Sequence, residues 1–215
     1  MIETIKDNYS IRIFKHNSDL FLNLTNYIEK EIIQSLTLNE RFKFCVCGGS
    51  TPKSVYSLLS KRELMWDKVD LFLGDERCVS PNSEESNTLM IKNSLLKEFG
   101  AKASFYEIFK EGKLNEEYVK EKLINQLKEK CFGGTSMFDL TLLGLGDDGH
   151  TASLFPYKFN NVDDEDVIFT HGKGLKRISL TPKVLSSSNK IIFLVCGASK
   201  QIALKRLIDQ KESYE

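Results

Sequence analysis

Short apolar runs alternate along the chain with longer stretches in which apolar residues recur every three or four positions, and most of the apolar runs stop at glycine, charge or hydroxyl groups. Ile11–Phe14 reads as a short first strand. Ser18 is placed to cap a helix running to about Ser35, with Leu20, Leu24, Tyr27, Ile28 and Ile32 on one face. Phe42–Cys47 is a second strand, followed by a helix from about Pro52 or Lys53 with Val55, Tyr56, Leu58 and Leu59 turned inward. Val69–Gly74 is a third strand, and a helix then runs from Ser83 or a neighbour to about Phe99, packing through Leu89, Ile91, Leu95 and Leu96. Phe105–Phe109 suggests a short strand. Asn115–Lys130 is a charged amphipathic helix with Tyr118, Val119, Leu123 and Leu127 inward, closed by Gly133-Gly134. A buried strand opens at Asp139; an acidic, irregular loop spans 158–166; 167–170 and 177–181 are short strands separated by His171–Gly174. Lys190–Cys196 reads as a buried strand from its β-branched content, and a helix ends near Asp209. The alternation predicts an α/β fold with a mostly parallel, Rossmann-like sheet flanked by helices.

In such sheets ligands sit at the carboxyl ends of the strands, so the residues there carry the candidate chemistry. The strand from Asp139 runs directly into Gly144-Leu-Gly-Asp-Asp-Gly-His150. Gly144, Gly146 and Gly149 permit a loop that folds tightly over a small ligand with its amides turned inward. Asp148 and His150 flank one glycine, where the carboxylate can fix the imidazole tautomer and leave the other ring nitrogen to act on a proton. Gly48-Gly49-Ser50-Thr51, between a strand and a helix N-terminus, forms an anion site from free amides and the helix dipole. It has no Walker lysine at the required spacing, so a nucleotide site is not expected. Asp75-Glu76-Arg77 puts charge where the third strand stops. Lys200 sits in the first turn of the last helix, where a cation opposes the dipole unless an anion is present.

Composition narrows the picture. The 215 residues, 41% hydrophobic, suffice for one well-buried domain. Thirty basic and thirty acidic side chains cancel, so neither nucleic acid nor a membrane surface is an expected partner. No run approaches the roughly 18–20 apolar residues of a membrane span, and the N-terminus has no signal-like apolar region. The expectation is a cytoplasmic protein. Five cysteines form no even framework and read as reduced core thiols. Cys45-Val46-Cys47 lacks a nearby partner pair, and no compact ligand set surrounds His150, so no metal is expected.

The run Leu143-Gly-Leu-Gly-Asp-Asp-Gly-His-Thr-Ala-Ser-Leu-Phe-Pro156 resembles the signature of the 6-phosphogluconolactonase family, within the larger group that includes glucosamine-6-phosphate deaminases and isomerases. The deaminases share Asp-Gly-His but continue Ala-Phe-Asn-Glu-Pro and carry Asp-Glu-Tyr where this chain has Asp75-Glu76-Arg77. Gly48–Pro52, the Ser86-Asn87 pair and Arg177-Ile-Ser-Leu-Thr181 extend the likeness, which spans about residues 40–205. The resemblance implies hydrolysis of a phosphosugar lactone without metal or organic cofactor. His150 would be the general base, oriented by Asp148; Arg77 would stabilise the carbonyl oxygen and Asp75 would hold sugar hydroxyls. Ser50, Thr51, Arg177 and Lys200 would take the phosphate. The rival readings are a deaminase-like enzyme, in which Asp75 takes a proton from carbon, and a non-catalytic sugar-phosphate sensor. The proline-rich run usual before Arg177 is missing. Family members usually continue with a further strand and helix beyond this chain's last helix, which leaves a shortened form, or one part of a longer or fused polypeptide, as an expectation.

Overall fold

A computed structural model describes residues 1–6, 9–109, 115–131, 136–156 and 164–209. Its centre is a five-stranded parallel sheet in the order β10-β7-β3-β4-β6. The strands are β3 (Phe42–Val46), β4 (Val69–Leu73), β6 (Ser104–Tyr106), β7 (Leu140–Gly144) and β10 (Ile191–Leu194). β4 is buried at every position and β3 and β7 at four of five. That is why these strands read as continuous apolar runs rather than alternating ones: a parallel strand between neighbours is covered on both faces. The core joins this sheet to α1 (Asn17–Ser35), α2 (Ser50–Leu59), α3 (Asn87–Ser94) and α4 (Glu116–Cys131).

Strand order decides where a ligand can sit. From β3 the chain moves outward through β4 to β6, then returns to the other side of β3 as β7 and continues to β10. The order reverses between β3 and β7, and the loops leaving their carboxyl ends diverge there into a crevice. Those two loops are Cys47–Gly49 and Leu145–His150.

A second sheet overhangs this crevice. β4 passes through Gly74 into β5 (Asp75–Arg77), which pairs antiparallel with β9 (Leu175–Leu180); β9 in turn pairs with β8 (Val167–Gly172). The two strands expected at 167–170 and 177–181 are therefore longer than their sequence pattern indicated, and lie in this antiparallel sheet. Only Lys173-Gly174 forms their turn, both at positive φ (51° and 78°), as a tight two-residue hairpin requires.

Several boundaries differ from the pattern. Residues 10–13, not 11–14, form β2 (Ser10–Ile13), and it pairs with an unanticipated β1 (Ile2–Ile5) in a separate hairpin. Both strands are mostly exposed, so they lack the buried face from which a strand is read. α1 starts at Asn17 with His16 as its uncapped N-terminal neighbour, so Ser18 is not the cap. α2 starts at Ser50, and Leu58 is partly exposed. The helix expected over 83–99 is only α3, capped by the Ser86 hydroxyl, which accepts from the Leu89 amide. A short 3-10 turn at Glu98–Lys102 follows it. The strand at 105–109 shrinks to β6. Tyr118 faces solvent on α4, and β10 is an edge strand with Ile191 and Phe193 partly exposed rather than a buried one. The described residues also include α5 (Pro182–Ser186) and α6 (Gln201–Asp209), which follows a 3-10 turn at Ala198–Lys200. Gly133-Gly134 and most of the expected 158–166 loop lie outside the described residues.

Candidate active site

The loop after β7 holds its histidine through close backbone approach. The Gly146 amide donates to the His150 carbonyl (2.7 Å), and the Thr151 hydroxyl to the Gly144 carbonyl (2.9 Å). His150 Nδ1 lies 2.5 Å from Asp148 Oδ1, and the His150 amide donates to the same carboxylate oxygen (3.2 Å). A Cβ at Gly146 would fall 2.2 Å from that Nδ1 and 2.5 Å from that Oδ1, so the pair occupies the space a side chain would need. The imidazole leans on the Phe155 ring, centroids 4.6 Å apart. With Nδ1 engaged, Nε2 is the nitrogen that can take a proton. Burial alone would raise the Asp148 pKa; the hydrogen bonds from the His150 ring and amide outweigh it and hold the carboxyl below its usual range. Asp147, adjacent, points away to Lys173 Nζ (2.6 Å), and that ammonium pulls its carboxyl down to about 2.

The strand end after β4 is built from buried charge. Glu76 is 1% exposed, and its carboxylate accepts from the amides of Arg77 (2.8 Å), Asn87 (2.8 Å) and Thr88 (2.7 Å) and from the Ser86 hydroxyl (3.0 Å). It fills the N-terminus of α3, where free amides and the helix dipole favour an anion. Burial nonetheless leaves its pKa raised, the amide hydrogen bonds offsetting only part of the cost. Asp75, beside it, accepts from the Ser153 hydroxyl, receives Asn87 Nδ2 on its backbone carbonyl (2.9 Å), and stands 3.9 Å from Arg177 Nη1.

Arg77 and Arg177 are cross-strand partners in β5 and β9. Arg77 Nη1 donates to the Glu85 carbonyl (2.5 Å), while its Nε is buried and has no partner among the described residues. Arg177 is buried, donates through Nε to the Gly172 carbonyl (3.2 Å), and lies over the Phe155 ring. Burial, reinforced by the neighbouring Arg77 charge, holds its pKa below the usual arginine value. Two adjacent guanidiniums in partly dry surroundings make a strong anion site.

These parts converge on one cleft of about 300 Å³ at the sheet's switch point. His150, Asp75, Arg77, Arg177 and Lys200 all line it, together with the Gly48–Thr51 turn, in which Gly49 (φ 111°) leads into the first turn of α2. Asp148 is the one predicted site residue not on the cleft wall; it stands behind His150 and reaches the cleft through the ring. Cys47 lines the floor, but burial pushes its thiol up to about 12 and makes it a poor nucleophile. Among the described residues no group of three or more His, Cys, Asp or Glu side chains could hold a metal ion, and no helix is long and apolar enough to cross a membrane.

Comparison with known proteins gives the family and the fold. The family profile described as glucosamine-6-phosphate isomerases/6-phosphogluconolactonase matches residues 15–215. A Nostoc 6-phosphogluconolactonase is 34% identical over 171 residues, 78% of this chain and 71% of that one. The chain belongs to the 6-phosphogluconolactonase family. A 6-phosphogluconolactonase from Xylella fastidiosa is 31% identical over 208 residues, covering 89% of this chain and 82% of the relative. Among solved structures, a putative 6-phosphogluconolactonase from Neisseria gonorrhoeae superposes with a TM-score of 0.81 at 25% identity, over 94% of this chain and 89% of that one.

Within the 6-phosphogluconolactonase family's frame, the sequence pattern assigns no role to two cleft side chains and one behind the cleft wall. Asn87 and Lys173 line the cleft, and Ser153 holds Asp75 from beneath. Asn87 was visible only as half of a Ser-Asn pair and Ser153 only as a letter of the signature. Lys173 had a local signal: Lys173-Gly174 between two apolar runs is a hairpin turn, and a turn there projects its residues toward the β7 loop.

Proposed function

We propose that this chain hydrolyses 6-phospho-D-glucono-1,5-lactone to 6-phosphogluconate, the activity its named relatives carry. The observation that carries the reading is a histidine–carboxylate pair facing two guanidiniums and a lysine across one cleft. In this reading water attacks the lactone carbonyl carbon while His150 Nε2 takes its proton. The carbonyl π pair moves onto the oxygen, where Arg77 and loop amides meet the developing charge. The tetrahedral adduct then collapses: the bond from the carbonyl carbon to the ring oxygen breaks, and the imidazolium returns the proton to that oxygen. Asp148 steadies the imidazolium, and Asp75 receives sugar hydroxyls. Ser50, Thr51, Arg177 and Lys200 take the phosphate.

The environment of Asp75 favours this over carbon deprotonation. Its carboxylate already accepts from Ser153 and faces Arg177, so fixed donors hold it in place rather than leaving it free to reach a substrate carbon. The reading takes residues 1–215 as one catalytic domain, alone or within a longer polypeptide, working in the cytoplasm on a free small molecule without nucleic acid or cofactor. The test is a short-time assay of fresh lactone coupled to 6-phosphogluconate oxidation, with spontaneous opening subtracted. Two charge-assisted contacts at roughly 1.5 kcal/mol or more each predict kcat/KM at least about 100-fold higher than for glucono-1,5-lactone lacking the phosphate. Comparable values would remove the phosphate roles of Arg177 and Lys200, and no acceleration at all would remove the reading.

A further inference from the structure

Asn87 is the first residue of α3, 1% exposed, with its amide fixed by Glu76. Its side chain fits three groups at once. Nδ2 donates to the Asp75 carbonyl (2.9 Å) and reaches the Asp75 carboxylate Oδ1 at 3.5 Å. Oδ1 is buried without a hydrogen-bond partner among the described residues and lies over Gly48, where a Cβ would fall 1.8 Å from it. A purely structural position would not select an amide whose oxygen goes unsatisfied, since an apolar side chain would fill the space without that cost. The amide donor aimed at Asp75 is what an apolar side chain could not supply. On the opposite side Ser153, itself fully buried, donates to Asp75 Oδ2 and is held by Thr170, whose hydroxyl donates to the Ser153 carbonyl (2.9 Å).

We propose that Asn87 is a positioning residue for the reaction: with Ser153 it clamps the Asp75 carboxylate, and through its contact with Gly48 it ties that carboxylate to the glycine turn. The proposal rests on the lactonase reading. It explains why residue 48 is a glycine, because any side chain there would displace the clamp. Asn87 touches no reacting atom; it acts through Asp75, whose aim decides how the sugar is presented to His150. The charged and titratable groups around Asp75 are Arg177 from β9, the Cys45 thiol from β3, the Cys47 thiol from the loop that follows it, and the adjoining Glu76.

The experiment uses the full chain with Asn87→Ala, Asn87→Asp and Ser153→Ala. It measures kcat and KM for 6-phosphogluconolactone across pH, 6-phosphogluconate binding by calorimetry, and thermal melting. Asn87→Ala is expected to lower kcat at least tenfold while product Kd stays within about threefold, because the phosphate contacts are untouched. Asn87→Asp removes the amide donor and sets a second carboxylate against the first, so it should repeat the kcat loss. Ser153→Ala, which leaves α3 intact, should repeat the kcat loss and serves as the test if Asn87→Ala melts early. Folded variants with wild-type kcat would overturn the clamp. A wild-type chain without lactonase activity would instead remove the reading itself, and the clamp's role in it.

Discussion

Two strand ends of this molecule carry the same kind of sequence, a pair of adjacent acids beside a basic residue, and the fold treats them in opposite ways. Asp75-Glu76 is almost fully buried, whereas Asp147-Asp148 lies at the surface, with the side chains of both acids about half exposed. In each pair one carboxylate serves architecture and the other, in the proposed mechanism, faces the chemistry. Glu76 fills the N-terminus of α3 and so fixes where Asn87 and Asp75 stand. Asp147 reaches out to Lys173 at the hairpin tip and joins the β7 loop to the antiparallel sheet. In the proposed mechanism their neighbours Asp75 and Asp148 serve the substrate and His150. The difference between the ends is stakes: the inner architectural acid is surrounded by donors that water cannot reach, and the outer one is not.

The comparison predicts a wide gap between the two architectural acids. Glu76→Ala would strand three amides and a hydroxyl in the interior. At roughly 1–3 kcal/mol for each buried unpaired donor, the variant should lose most of its stability or fail to fold, with Tm down by roughly 10 °C or more if it survives. A melt like the wild type would show that α3 does not depend on its buried cap.

Between the two site-facing acids, Asp148 can be read through rate. Asp148→Asn keeps shape but offers the imidazolium no charge. The kcat should fall, by less than the roughly 10⁴-fold that the buried carboxylate of a Ser-His-Asp triad supplies, because Asp148 is half exposed. The pH dependence of stability gives the sign. Asp148 has a lowered folded pKa, so its contribution is present above the unfolded value of about 3.9 and fades as pH falls through the folded one. Glu76, with a raised folded pKa, contributes most below the unfolded value of about 4.3 and loses that contribution as pH rises through the folded one. Denaturation of wild type against Asp148→Asn and Glu76→Gln across pH 2–7 should therefore give difference curves of opposite slope; parallel curves would contradict the assignment.

The smallest effect belongs to Asp147→Ala. An exposed ion pair contributes little to stability, so melting should not change measurably. A rise in KM of a few-fold, seen in steady-state assays, is expected if the Lys173 tip helps close the cleft; a collapse in stability would make the two ends equivalent after all.

How much of this was legible depended on burial. β3, β4 and β7 were readable because a strand covered on both faces is a plain apolar run, and the site residues were readable because they sit where those runs stop. β1 was missed because Ile2–Ile5 has no covered face. The helix before Phe99 was overextended because apolar spacing continues past Ser94, although the 83–86 turn delivers Ser86 and Asn87 to Glu76 and so fixes the start. Asn87 itself was out of reach: its role comes from contact with Gly48 and Asp75, on two other strand ends. Those contacts exist only after β3 and β4 have paired.

The central claim is that His150 Nε2, oriented by Asp148, is the proton acceptor. The most direct measurement is kcat of His150→Asn with fresh lactone in a stopped-flow assay, spontaneous opening subtracted, alongside calorimetric titration with 6-phosphogluconate. The account predicts kcat lower by roughly two to four orders of magnitude with product affinity nearly unchanged, since the phosphate and hydroxyls are held by other residues. A variant that turns over near the wild-type rate would contradict it.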